Sequence, residues 1–156
     1  MCSSDLPSGI GGMPIALWQQ NGHLNDMLLR ALAGLPSGYK VTQVLWQQGE
    51  SDFLLATPAA DYVASFRSLV DVLARNGVDA PLYIAVSTKC GPWTADNPIA
   101  VAQRSLVDNR HVFLGVDTDA LLGAKDRFDD CHLSESGQRK TAAAYAEAIK
   151  RSRRLP

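Results

Sequence analysis

The sequence predicts an α/β fold in which a parallel sheet is covered by helices on both faces. Three observations predict it. Apolar runs alternate with amphipathic stretches along the chain. The runs VTQVLW (41–46), LYIAVS (82–87) and VFLGV (112–116) are continuous rather than alternating, as strands with two covered faces should be. They are also rich in β-branched and aromatic residues, which suit the pleated strand.

The first helix is expected over about Leu24 to Ala33, where Leu24, Met27, Leu28, Ala31 and Leu32 hold helical spacing and Gly34 can close the last turn. After the strand at 41–46, Thr57 is expected to cap and Pro58 to open a helix whose face carries Tyr62, Val63, Phe66, Leu69, Val70 and Leu73, ending at Asn76-Gly77. Past the strand at 82–87, Asn97-Pro98 begins a helix reaching about Val107. Beyond the strand at 112–116, Ser134 or Ser136 begins the last one, carrying Ala144, Tyr145, Ala148 and Ile149. The basic residues Lys150, Arg151, Arg153 and Arg154 fall at its C-terminal end, where cations complement the helix dipole. No repeat or change of composition divides residues 1–156, which are expected to form a single domain. The opening MCSSDLPS (1–8) has no periodicity and is set aside as foreign to it.

Charge and hydropathy narrow the function. Fifteen basic against sixteen acidic side chains give a net charge of -1, with no basic footprint for nucleic acid or anionic lipid. No apolar run approaches the roughly 20 residues of a membrane-spanning helix. The cysteines, Cys2, Cys90 and Cys131, are too few for a disulfide scaffold and lack zinc-finger spacing. They are either idle thiols or, for Cys90 and Cys131, which both fall where strands empty into loops on one edge, a bridge. Such a bridge would favour a secreted or periplasmic protein.

Open parallel sheets bind ligands beyond the carboxyl ends of their strands, so the residues following each strand are the candidates. QVLWQQGESD (43–52) passes within three positions from an apolar run to an amide, a glycine and two carboxylates. FDDCHLS pairs Asp129 with His132 three residues on, a spacing at which a carboxylate can hold Nδ1 and orient the imidazole as a general base. Gly11, Gly12 and Gly49 allow backbone N–H groups to approach a ligand oxygen, as an oxyanion hole requires. His23 and His111 have no such partner. The stretch DTDALLG lacks the third oxygen ligand of a calcium loop, so it reads poorly as a metal site; no cofactor is expected either. Trp18, Trp46 and Trp93 lie near this edge and could stack on a ligand; Trp46 reads rather as core, Trp93 as part of a substrate loop.

Together VLWQQGESD, DDCHLSESGQ and GGMPIALW resemble the SGNH hydrolases, specifically the carbohydrate esterases of the sialate O-acetylesterase-like and acetylxylan esterase-like branch, over about residues 9–150. The resemblance implies a three-layer α/β/α, flavodoxin-like sandwich and a serine esterase that removes acetyl groups from sugars without metal. It casts Asp129 and His132 as acid and base, one glycine of Gly11-Gly12 as an oxyanion donor and Gly49 as another. The wider superfamily has Asn where this chain has Ser51, which leaves Gln48 or Glu50 to organise that corner. Asp117, Asp119, Asp126 and Asp130 lack the offset from His132 that the family's acid shows.

One departure is larger. The family's nucleophilic serine follows the first strand in a Gly-x-Ser-x turn, and neither Ser3, Ser4, Ser8 nor Ser87 matches it. The expectation is an N-terminally truncated esterase whose first two strands and serine lie upstream. In a 2-1-3-4-5 strand order, VTQVLW would then show an unpaired edge. The alternatives are a degenerate, glycan-binding α/β module without ester turnover and a flavodoxin-like regulator using Asp117 and Lys125.

Overall fold

The computed structural model describes residues 6–95 and 97–153; Cys2, Ser3, Ser4 and Arg154 fall outside them. Three parallel strands, β1 (Val44–Trp46), β2 (Leu82–Val86) and β3 (Val112–Asp117), form one sheet in that order, with Val44 opposite Leu82 and Leu82 opposite Val112. The helices are α1 (His23–Ala33), α2 (Glu50–Leu54), α3 (Ala59–Arg75), α4 (Pro98–Ser105), α5 (Thr118–Leu121) and α6 (Glu135–Ser152). None of them among the described residues is long and apolar enough to cross a membrane.

Period-two alternation sorts the strand residues between two cores. On one face Trp46, Leu82 and Ile84 meet Leu24 of α1, Phe66, Leu69 and Leu73 of α3, and Ile99 of α4. On the other, Tyr83, Ala85 and Val116 meet Tyr145 and Ala148 of α6. The result is the expected α/β/α sandwich. In α3 the spacing 62, 66, 69, 73 puts one stripe against the sheet, and Tyr62, Phe66 and Leu69 are fully buried. Burying a Phe66-sized side chain contributes roughly 1.5–3 kcal/mol. On the opposite face Gly115 clears the way for Tyr145: a Cβ there would lie 2.3 Å from the Tyr145 ring. The Tyr145 hydroxyl then donates to the Trp46 carbonyl at 3.1 Å, fastening α6 to the end of β1.

Two boundaries differ from the sequence reading. Strand β1 starts at Val44 rather than at residue 41, because the backbone it would extend along reaches Pro81, which has no N–H to donate; Val44 instead donates to the Pro81 carbonyl at 3.0 Å. Thr57 does not cap α3. Pro58 occupies that position, its carbonyl accepting from Asp61 and Tyr62, while the Thr57 N–H is already engaged by the Asp52 carbonyl. Asn97 caps α4 through its side chain and Ser134 caps α6. The short helices α2 and α5, at the ends of β1 and β3, carry too few residues to show periodicity.

Candidate active site

The quoted stretch at the end of β1 turns sharply into α2 at Gly49, whose φ of 153° suits glycine alone. Space forbids any larger residue too: a Cβ would lie 2.3 Å from Gln103 Nε2 and 2.4 Å from the Ser87 carbonyl oxygen. Three chain segments are stitched together here. Gln48 Nε2 donates to the Met13 carbonyl at 3.2 Å and to Asp52, whose Oδ2 also accepts the Ile15 N–H at 2.8 Å. The segment that follows Gly11-Gly12 is thereby docked beside the Gly49 corner. Gln103 of α4 donates to the Gln48 carbonyl at 2.6 Å and accepts the Ser87 N–H at 3.0 Å. Ser87 Oγ donates to Glu50 Oε1 at 2.6 Å. Burial, set partly against that hydrogen bond, raises the Glu50 carboxyl above its ordinary range.

His132 stands on a tight turn between β3 and α6. Arg127 and Leu133 pair in an antiparallel bridge, the Phe128 N–H donates to the His132 carbonyl at 3.1 Å, and Asp130 takes a left-handed φ of 58° at the tip. Asp129 shapes this turn and orients the ring together. Its Oδ1 accepts the backbone N–H of Cys131 and of His132, and its Oδ2 lies 2.7 Å from His132 Nδ1. A carboxylate can only accept, so Nδ1 carries the proton and Nε2 is left as the basic nitrogen. The backbone N–H of His132, followed by its ring, holds the Asp129 carboxyl below the usual range, keeping it ionised. Phe128 stacks on the imidazole with centroids 5.6 Å apart.

From below, Asp126 anchors the turn: Lys140 lies 2.8 Å from its Oδ2 and Ser136 donates to Oδ1, which lowers its carboxyl to about 2. From the side, Cys90 and Cys131 are joined by a disulfide, tying the turn to the loop after β2. The Thr88 hydroxyl in that loop donates to Asp119 and accepts from the Trp93 indole at 2.9 Å. This fixes a half-buried ring with the Lys89 ammonium 5.3 Å from its centroid.

The structure thus gathers Gln48, Gly49 and Glu50 in one network and Asp129, His132, Cys90 and Cys131 in another, both beyond the carboxyl ends of the strands. Ser87, Thr88, Asp119 and Arg127 link the two. Gly11 and Gly12 are exposed in a turn, with Gly12 at a φ of 74° and open space where a Cβ would stand. The Ser51 hydroxyl meets no partner among the described residues. Trp18 does not face a ligand: it is 4% exposed and packs edge-on against Trp46, because the segment GGMPIALW folds into the core between α1 and α3. Asp117 pairs with Arg104 at 3.0 Å and caps α5, so the regulator-like pairing with Lys125 does not form. Sequence reasoning misses Gln103 and Arg127, which carry no signal; Asp52 shows only as the second carboxylate of the stretch 43–52, and Asp119 only as a rival for the acid role, not as the acceptor that holds the loop after β2.

An open-sheet α/β protein that concentrates its buried polar groups at this edge belongs to the class that binds ligands there. Sequence comparison places it further: the family described as carbohydrate esterase, sialic acid-specific acetylesterase matches residues 6–151, and the chain belongs to that family. No curated protein matches the chain.

Proposed function

We propose that this chain supplies the acid, base and oxyanion donors of a serine carbohydrate esterase that removes O-acetyl groups from sugars, with the nucleophilic serine on a segment upstream. The observation that carries the reading is the Asp129–His132 pair. It leaves Nε2 without a partner among the described residues, on a side chain 69% exposed. A base so oriented needs a hydroxyl to deprotonate, and Ser87 does not provide it, being 1% exposed and committed to Glu50.

Two further features support an upstream serine. The outer edge of β1 is unpaired among the described residues and Leu45 is 53% exposed. Beside it, Leu45, Gln47, Leu133, Thr141, Tyr145 and Ile149 help line a hollow of about 480 Å³ bordering the residue next to His132.

In this mechanism the serine oxygen bonds to the acetyl carbonyl carbon as His132 Nε2 takes its proton. The carbonyl oxygen becomes an oxyanion. The backbone N–H groups of Gly12 and Gly49, which have no acceptor among the described residues, receive it. Collapse breaks the ester bond, and the sugar oxygen leaves with the proton from His132. Water, deprotonated by the same nitrogen, then releases acetate. Gln48 and Glu50 hold the Gly49 corner in place.

A fluorophosphonate probe, which bonds to activated serines, tests this on the chain extended by its upstream coding sequence. Labelling is expected on a serine outside the 156 residues and absent from His132→Ala. Labelling of Ser87 or of any serine within residues 6–153 would overturn it.

A further inference from the structure

Arg127 is the most deeply buried cation near the site, with a side chain 2% exposed. Its Nη1 donates to two carbonyls, those of Lys89 at 3.2 Å and of Cys131. Those residues sit on different loops: Lys89 precedes the bridged Cys90, and Cys131 precedes His132. Its Nη2 lies 3.9 Å from Asp119 Oδ1, and Nε and Nη2 have no hydrogen-bond acceptor among the described residues. Asp119 in turn accepts from the N–H of Thr88 and of Lys89, at 2.9 and 3.0 Å.

As a stabilising device this is poor. A buried guanidinium that leaves N–H groups unmatched costs desolvation that an apolar side chain of similar volume would avoid. What it does achieve is positional: one nitrogen fixes the carbonyl next to His132 relative to the loop that presents Trp93. We propose that Arg127 is a positioning residue for His132, setting the imidazole against the substrate loop independently of the Cys90–Cys131 bridge that spans the same two loops.

This rests on reading His132 as the general base. Lysine is no substitute, because its ammonium ends about where the guanidinium carbon lies, one bond short of both carbonyls. A displaced base lowers turnover with little effect on the binding of a small ester, and misplacement of about 1 Å can cost on the order of a hundredfold.

The test uses the extended enzyme with Arg127→Lys and Arg127→Gln, and wild type with its bridge reduced by dithiothreitol. Two readouts are taken at 25 °C: kcat and KM for p-nitrophenyl acetate, and the NMR resonance of the His132 Nδ1 proton hydrogen-bonded to Asp129. In either variant kcat is expected to fall ten- to a hundredfold at unchanged KM, with the proton resonance broadened or lost. Reduced wild type, which retains Arg127 and has no folding risk from substitution there, is expected to keep the resonance and a kcat within threefold.

A folded Arg127 variant with the wild-type resonance and kcat would overturn the proposal. So would loss of the resonance on reduction alone, which would assign the positioning to the bridge. If the resonance is lost in the variants while they and His132→Ala still hydrolyse the ester, the esterase role of His132 fails and Arg127's positioning role stands.

Discussion

Asp129 grips His132 twice, its Oδ1 accepting the backbone N–H and its Oδ2 facing Nδ1, both at 2.7 Å. One carboxylate therefore sets both the turn and the tautomer. Asp129→Asn separates these roles. The amide oxygen can still accept from the backbone, so the fold should persist. The amide nitrogen, however, donates to Nδ1 and forces the proton onto Nε2. Ester hydrolysis by the extended enzyme should drop on the order of a thousandfold or more, with the melting temperature shifted by no more than a few degrees. Activity within tenfold of wild type would contradict the assignment.

Gly49 has neither the backbone nor the room for a side chain, with its φ of 153° and a prospective Cβ 2.3 Å from Gln103 Nε2. Gly49→Ala should cost about 2–4 kcal/mol by urea denaturation, combining backbone strain with overpacking. Gly12→Ala, strained by φ alone in open space, should cost less. Equal losses would show that contact with Gln103 and Ser87 is not what constrains the corner.

Glu50 gives the stability a pH signature. Burial raises its carboxyl from an ordinary value of 4.5, so the folded state holds this proton more tightly than the unfolded chain does. Its contribution is complete below pH 4.5 and is lost as pH rises from there through the folded value. Glu50→Gln keeps an acceptor for Ser87 but has no proton to lose. Urea midpoints measured from pH 4.5 to 8 should fall more steeply in wild type than in the variant; parallel curves would contradict this. Asp126, lowered to about 2, acts in the opposite direction: its contribution disappears only as pH falls from 3.8 towards 2. Asp126→Asn should therefore flatten the acid limb.

The Cys90–Cys131 bridge closes a segment of 41 residues of sequence separation. Loop-closure entropy for a span of that size is about 4 kcal/mol. Replacing both cysteines with serine should lower stability by roughly 2–4 kcal/mol, measured by denaturant titration with and without reductant. Wild type treated with reductant should match the double variant, and a reductant-insensitive wild type would show that the thiols are unpaired.

Much of this molecule is legible in its sequence because its signals are local and repeated. The stripe Tyr62, Phe66, Leu69, Leu73 foretells α3, and the three continuous apolar runs foretell the doubly covered strands. The Asp129–His132 offset foretells the hydrogen bond, since three residues span one tight turn. What escapes is non-local. Gln103 reads as an ordinary polar residue of a helix, yet the fold turns it against Gly49 and Ser87. Arg127 sits in an acid-rich stretch as if on the surface, and only the crossing of two loops buries it against Asp119. Trp18 reads as a ligand-stacking candidate yet lies in the core, because its place in GGMPIALW says nothing about which side of the sheet its ring will take.

In the proposed mechanism, ester hydrolysis depends on the nitrogen of His132 that Asp129 leaves free. The most direct measurement is the hydrolysis of p-nitrophenyl acetate by His132→Ala in the chain extended upstream, at matched folded concentration. Loss of at least about a thousandfold in kcat/KM is the predicted result, and turnover near that of wild type would contradict the role of His132 as the base.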